Sequence, residues 1–250
     1  MDDVTLLSSS PITWMAPRTA LACCVLLAAL PGAAAGACPP ANFSTVSGFS
    51  LSTYISKPWF SIQQAVNSYQ SRDELYCVRA EYRRDHGDAG RLVVFNQGRR
   101  GSVTGPLVGT NMLLSAVVKD EANGKLAVGP RFIPAAAYGP YWLVATGPTA
   151  SDYEWAIITG GPPTVQGSTP GTCALRASTG NPNGSGEGFW LFFRSPTPSQ
   201  EAVNQVRAAA ASKGLDLSVL VDVPQQGCVY APFPKNNTGV LGRLSGLLRG

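Results

Sequence analysis

The chain has 250 residues, of which 44% are hydrophobic and 14% charged, with a formal net charge of +4, 27 glycines and 20 prolines. That apolar content excludes a wholly disordered, self-repelling chain, and the small charge, paired only at Arg83-Arg84 and Arg99-Arg100, excludes the basic stripe of a nucleic-acid binder. Abundant glycine and proline with few helix-period stretches predict many short strands joined by turns.

Residues 1–37 read as a leader. Arg18 precedes an apolar run from Thr19 to Leu30, and small residues follow from Gly32 to Ala37, the pattern of a secretory signal peptide. The run is shorter than the roughly 20 apolar residues a spanning helix needs, and no other stretch approaches that length. The polar extension before Met15 admits two accounts: a start at Met15, or a bipartite plastid-type leader. The expected destination is therefore the cell exterior, with a plastid compartment as the alternative. About 210 residues follow the leader, enough for one domain with a sizeable core. That domain is predicted over residues 38–230, with a flexible tail over 231–250.

The strands follow in chain order. Trp59 to Val66 is the first, and Leu75 to Arg83 the second, where Val78, Ala80 and Tyr82 alternate with Cys77, Arg79 and Glu81 at the period of a strand with one buried face. The turn Asp85 to Gly90 leads to a third strand, Arg91 to Asn96. Val108 to Lys119 and Lys125 to Phe132 form a hairpin through Asn123-Gly124, a dipeptide suited to tight turns. Tyr141 to Thr146, Tyr153 to Ile158 and Phe189 to Arg194 complete eight strands. A meander of eight predicts a closed up-and-down antiparallel β-barrel, because closure removes exposed edges. Capping residues from Ser195 to Glu201 then open an α-helix from Ala202 to Ser212, with Val203, Val206 and Ala210 on one stripe, before Lys213-Gly214 ends it. This helix should pack outside the barrel. A last extended segment runs from Leu217 to Val223, and Gly161 to Gly188 reads as a long loop.

Beyond the leader four cysteines remain, Cys38, Cys77, Cys173 and Cys228. In an exported chain they imply two disulfides, for which spacing alone leaves three pairings open. The sequons at Asn42, Asn183 and Asn236 are candidate glycosylation sites. No metal site is expected, since there is no CxxC pair and His86 is the only histidine. His86 in a charged turn is poorly placed for a catalytic triad, and neither a nucleophile elbow nor a phosphate loop occurs. No catalytic residue and no cofactor is assigned.

The element order and three local motifs resemble the lipocalin family, most closely its apolipoprotein D and bacterial or plant branch, over about Cys38 to Cys228. Lys57-Pro58-Trp59 matches the family's Gly-x-Trp with lysine in place of glycine, Ala145-Thr146 through Asp152-Tyr153 matches a Thr-Asp-Tyr segment with an insertion, and Arg194-Ser195-Pro196 matches Arg-x-Pro. The resemblance implies that Trp59 and Arg194 close the barrel base as a cation–π pair. It also implies disulfides Cys38 to Cys173 and Cys77 to Cys228, and ligand contacts at Tyr82 and Trp190. Strand parity adds Phe192, Val78 and Ala80 to the inward set. The facing of Phe95, Phe132, Trp142 and Trp155 stays open. The expected function is an extracytoplasmic carrier or scavenger of a small hydrophobic molecule, such as a fatty acid, sterol, pigment or oxidised lipid, with no reaction of its own. The alternatives are an enzyme on the same barrel, such as a pigment de-epoxidase or isomerase, and a protein-binding module using the loops at the open end, which a large exposed apolar patch around Ile133 to Tyr141 would favour.

Overall fold

The computed structural model describes residues 36–109, 113–149, 151–176 and 187–234; the leader through Ala35, the sequons at Asn183 and Asn236, and the tail beyond Pro234 lie outside them. A one-turn helix α1 (Leu51–Tyr54) precedes the barrel strands. These are β1 (Trp59–Ala65), β2 (Tyr76–Asp85), β3 (Asp88–Arg99), β4 (Leu114–Asp120), β5 (Lys125–Pro130), β6 (Gly139–Pro148), β7 (Tyr153–Thr159) and β8 (Phe189–Phe193). Each pairs antiparallel with the next, and β8 pairs back to β1 with Phe60 opposite Phe193 and Gln64 opposite Trp190. The sheet is therefore a closed, eight-stranded, up-and-down antiparallel barrel. The Asn123-Gly124 turn needs its glycine: Gly124 has φ +60°, and a Cβ there would collide with Val46 and Leu143.

Period-two alternation splits the apolar side chains into two cores. Ala80, Tyr82, Leu92, Val94, Ala116, Leu126, Leu143, Ala156, Ile158 and Phe192 face inward, around Trp59. Phe189, Leu191 and Phe193 alternate with Trp190 and Phe192, and they face outward, with Ile157 and Val144, onto α2 (Gln200–Ser212). The helix begins where the Ser199 hydroxyl accepts from the Ala202 amide at 3.2 Å, and it buries the predicted stripe of Val203, Val206 and Ala210. Each large apolar side chain so buried contributes about 1.5–3 kcal/mol. After the helix, β9 (Leu220–Asp222) pairs with β1 opposite Gln63 to Ala65, where β2 no longer does: β1 meets β2 only at Trp59 and Phe60.

Both disulfides are the pairs implied by the resemblance, Cys38–Cys173 and Cys77–Cys228, with sequence separations of 135 and 151. Loops of that length set an entropic ceiling of about 4–5 kcal/mol per bond. The first ties the N-terminal segment to the loop before β8, which carries its own small ladder, Val165–Gln166 against Cys173–Ala174.

Two expectations need correction. Val78 does not join Ala80 and Tyr82 but packs with Leu75 and Val223, because the ladder shifts register between Tyr76 and Arg79 and Cys77 adopts φ +53°, which breaks the alternation. The tail boundary at 231 falls inside a docked strap: Phe233 is 6% exposed among Val93, Phe95 and Leu113, and the Ala231 amide and carbonyl both bond the Gln97 carboxamide. Between Ile133 and Tyr141, Tyr138 and Tyr141 are buried, while Pro134, Ala136 and Ala137 are exposed beside Phe132, which is 76% exposed.

Candidate ligand-binding site in the barrel

One end of the barrel is closed by residues that leave one another no free hydrogen-bonding group. The Arg194 guanidinium lies 3.5 Å over the Trp59 ring. Its Nε donates to Tyr153 O at 3.0 Å, and its two terminal nitrogens donate to the carbonyls of Lys57, Pro58, Thr53 and Tyr54. Five N–H groups thus meet five carbonyls, the full capacity of the side chain. Trp59 Nε1 donates to Tyr54 O at 2.9 Å, and the Tyr153 hydroxyl accepts from the Ser50 amide at 2.9 Å. Burial pushes the Arg194 pKa down to about 10, still well above neutral, so the cation persists under the indole. Arg194 and Trp59 stand where the resemblance places them, and their chemistry is structural.

α1 delivers a side chain that parity arguments do not reach. Tyr54 enters the barrel beside Trp59, with ring centroids 5.1 Å apart, and its hydroxyl meets that of Tyr141 at 2.6 Å. The Tyr82 hydroxyl meets Tyr141 at 2.7 Å. Burial raises all three phenols, with Tyr82 pushed up to about 12. At neutral pH they are uncharged O–H donors and acceptors.

Leu114, Val118, Val128 and Trp190, together with Val46 and Ile55, pack against the same inward core yet are only partly buried. Tyr69, in the β1–β2 loop, keeps 58% of its surface open. Its phenol is held protonated above the ordinary range, by burial first and then by the nearby Glu187 carboxylate. Trp190 lies flat against Gly188, whose φ is +102° and where any Cβ would enter the indole ring.

Several polar groups at this corner are buried without partners. Gln64 sits opposite Trp190 on the inward face and donates to Gln70 Oε1 at 2.9 Å, but its Oε1 has no partner. Asn67 and Glu187 are each 3% exposed. Among the described residues neither polar atom of the Asn67 carboxamide is bonded, and Glu187 accepts from the Ser68 amide at 2.8 Å through Oε2 while its Oε1 has no partner. Buried polar atoms are normally satisfied, so this cluster of exceptions distinguishes the corner from the closed end.

Of the sequence-derived ligand set, Tyr82, Trp190, Phe192 and Ala80 converge inside the barrel and Val78 does not. Phe95 faces outward against Phe233, Trp142 outward beneath the Lys125 ammonium at 4.8 Å, and Trp155 packs with the α2 cluster. Sequence reasoning missed Tyr54, Tyr69, Tyr141, Gln64, Asn67 and Glu187. Tyr141 alone had a usable signal, since it shares parity with Leu143 on β6. Asn42 is exposed, and its amide donates to Ser212 O at the end of α2.

Two clefts open on the outer surface. One, of about 420 Å³, lies between Ile55, Lys57 and Pro58 and the β2 residues Glu81 and Arg84. The other, of about 470 Å³, lies between α2 and β9. Their charged and polar linings are solvent-exposed or paired. Among the described residues no three His, Cys, Asp or Glu side chains converge as a metal site, and no helix is long and apolar enough to cross a membrane.

No protein-family model matches the chain, and no curated protein matches it in sequence. Among solved structures it is similar to the major allergen Per a 4 from cockroaches, at 14% identity and TM-score 0.47 over 73% of this chain and 92% of that one. Insecticyanin from the tobacco hornworm Manduca sexta is similar at 17% identity and TM-score 0.47, over 78% and 93%. A biogenic amine-binding protein is similar at 14% and 0.47, over 83% and 95%.

Proposed function

We propose that this chain is a lipocalin that carries or scavenges a small, largely apolar molecule in an extracytoplasmic compartment, and that it catalyses no reaction. The observation that carries the reading is a set of apolar and aromatic side chains packed against the inward core that remain only partly buried. One end is closed around Trp59, Tyr54 and Arg194, while Trp190, Leu114, Val118 and Val128 point inward without being fully covered. Apolar surface buried there by a ligand would contribute roughly 25 cal/mol per Å², with the phenols of Tyr82 and Tyr69 orienting any polar end. The two disulfides support an oxidising destination, and exposed Asn42 is the candidate glycan acceptor within the described residues. The assignment of a carrier over a catalyst rests on the inward titratable groups near the centre being phenols that burial keeps neutral.

Native mass spectrometry of the oxidised protein from its own host, followed by denaturation and extraction, tests the reading. A stoichiometric apolar adduct, lost when Trp190→Glu is introduced, is the expected result. A barrel that is empty and unresponsive to a panel of fatty acids, sterols and carotenoids overturns it.

A further inference from the structure

Where the β1–β2 loop meets the start of β8, one corner of the lumen carries an unbalanced set of hydrogen-bonding atoms. Glu187 Oε1, Gln64 Oε1 and Asn67 Oδ1 are three buried acceptors without partners, against a single unpartnered donor, Asn67 Nδ2. The residues are joined to one another. Ser68 N donates to Glu187 Oε2, Gln70 links Asn67 to Gln64, and Gln64 stands opposite Trp190. Among the described residues no Lys, Arg or His lies within ion-pair distance of Glu187; the ion pairs are Arg79 and Arg83 with Glu81, Arg91 with Asp88, Arg100 with Glu74, and Arg131 with Asp85.

Resting on the carrier reading, we propose that this corner is a subsite for a cationic head, a primary or secondary ammonium group, whose apolar body lies along Trp190 toward Tyr82. An ammonium has several N–H donors and no acceptor, which is the complement of three acceptors around one carboxylate. Ordered water would satisfy the amides but would leave the buried carboxylate charge without a counter-charge, the costlier of the two deficits. A carboxylate head would meet Glu187 as a like charge, and a hydroxyl would supply one donor where three acceptors wait. The face of Trp190 adds a second source of cation selectivity, and Gly188 lets the indole lie close to the start of β8. The site thus selects amphiphilic amines over fatty acids and alcohols of equal length.

The test compares dodecylammonium, dodecanol and dodecanoate by isothermal titration at neutral pH, each below its micelle concentration, on the oxidised protein. The expected result is dodecylammonium binding at least about tenfold tighter than either other probe, a preference that Glu187→Gln abolishes while leaving dodecanol affinity unchanged. Asn67→Asp, which adds a second carboxylate at the same corner, should widen the preference and stands in if Glu187→Gln fails to fold. Equal binding of all three, a preference for dodecanoate, or a preference that survives Glu187→Gln overturns the subsite but leaves the carrier reading intact. Failure of all three probes to bind, together with an empty barrel in native mass spectrometry, overturns both.

Discussion

The two ends of the barrel interior use polar groups in opposite ways. Around Trp59 every donor of Arg194 has a carbonyl, the indole N–H has one as well, and the Tyr153 hydroxyl is bonded. Around Trp190 the residues Gln64, Asn67 and Glu187 are as deeply buried, but Gln64 Oε1, Glu187 Oε1 and both polar atoms of the Asn67 side chain are left without partners. A satisfied network specifies and stabilises a unique packing, whereas an unsatisfied one costs free energy in the isolated protein. The contrast separates an end whose buried polar groups are paired from one where several are not.

If that division is correct, truncating the closed end should have the largest effect on stability. Trp59→Ala removes a fully buried ring from between Tyr54 and Arg194, and it should cost about 3–5 kcal/mol in urea denaturation. The tyrosine cluster gives the next effect through pH. Tyr54, Tyr82 and Tyr141 all hold their protons in the folded state above the ordinary phenol range, Tyr82 up to about 12. Stability is therefore fully present below about pH 10, where the unfolded phenols begin to ionise, and is lost as pH rises toward and through the folded values. With three protons retained by the native state, the slope approaches ~4 kcal/mol per pH unit between about pH 10 and 12. Denaturation midpoints followed alongside tyrosinate absorbance measure it, and a flat profile over that range would show that the phenols are not buried together.

Tyr141→Phe sharpens the same point on a smaller scale. It leaves the Tyr54 and Tyr82 hydroxyls without their common partner, so a loss of about 1–3 kcal/mol is expected at neutral pH. At the other end the sign should reverse. Asn67 bonds nothing through its side chain, so Asn67→Leu should leave stability within about 1 kcal/mol of the parent or raise it, while weakening ligand binding. A large loss of stability at Asn67 would erase the distinction between the two ends.

Much of this architecture is legible in the chain itself. Alternation at period two separates Trp190 and Phe192 from Phe189, Leu191 and Phe193, and the Val203, Val206 and Ala210 stripe forecasts the helix that covers the second set. Those features are local: a strand or helix imposes its period on whatever side chains it carries. The Trp59 and Arg194 pair was legible only through resemblance, because no spacing rule links residues so far apart.

What the tertiary structure decided lies where alternation fails or long-range partners matter. A register shift at Cys77 turned Val78 out of the lumen set, and strap residues read as a free tail docked through Phe233. Tyr54 becomes a barrel residue only because α1 plugs the closed end, and Glu187 becomes one only because it folds onto Ser68, 119 positions earlier. Whether a polar atom is satisfied depends on partners drawn from the whole chain. The amino-acid pattern therefore determined which face each strand would bury, and tertiary folding alone determined which of the buried polar groups would be left open to a ligand.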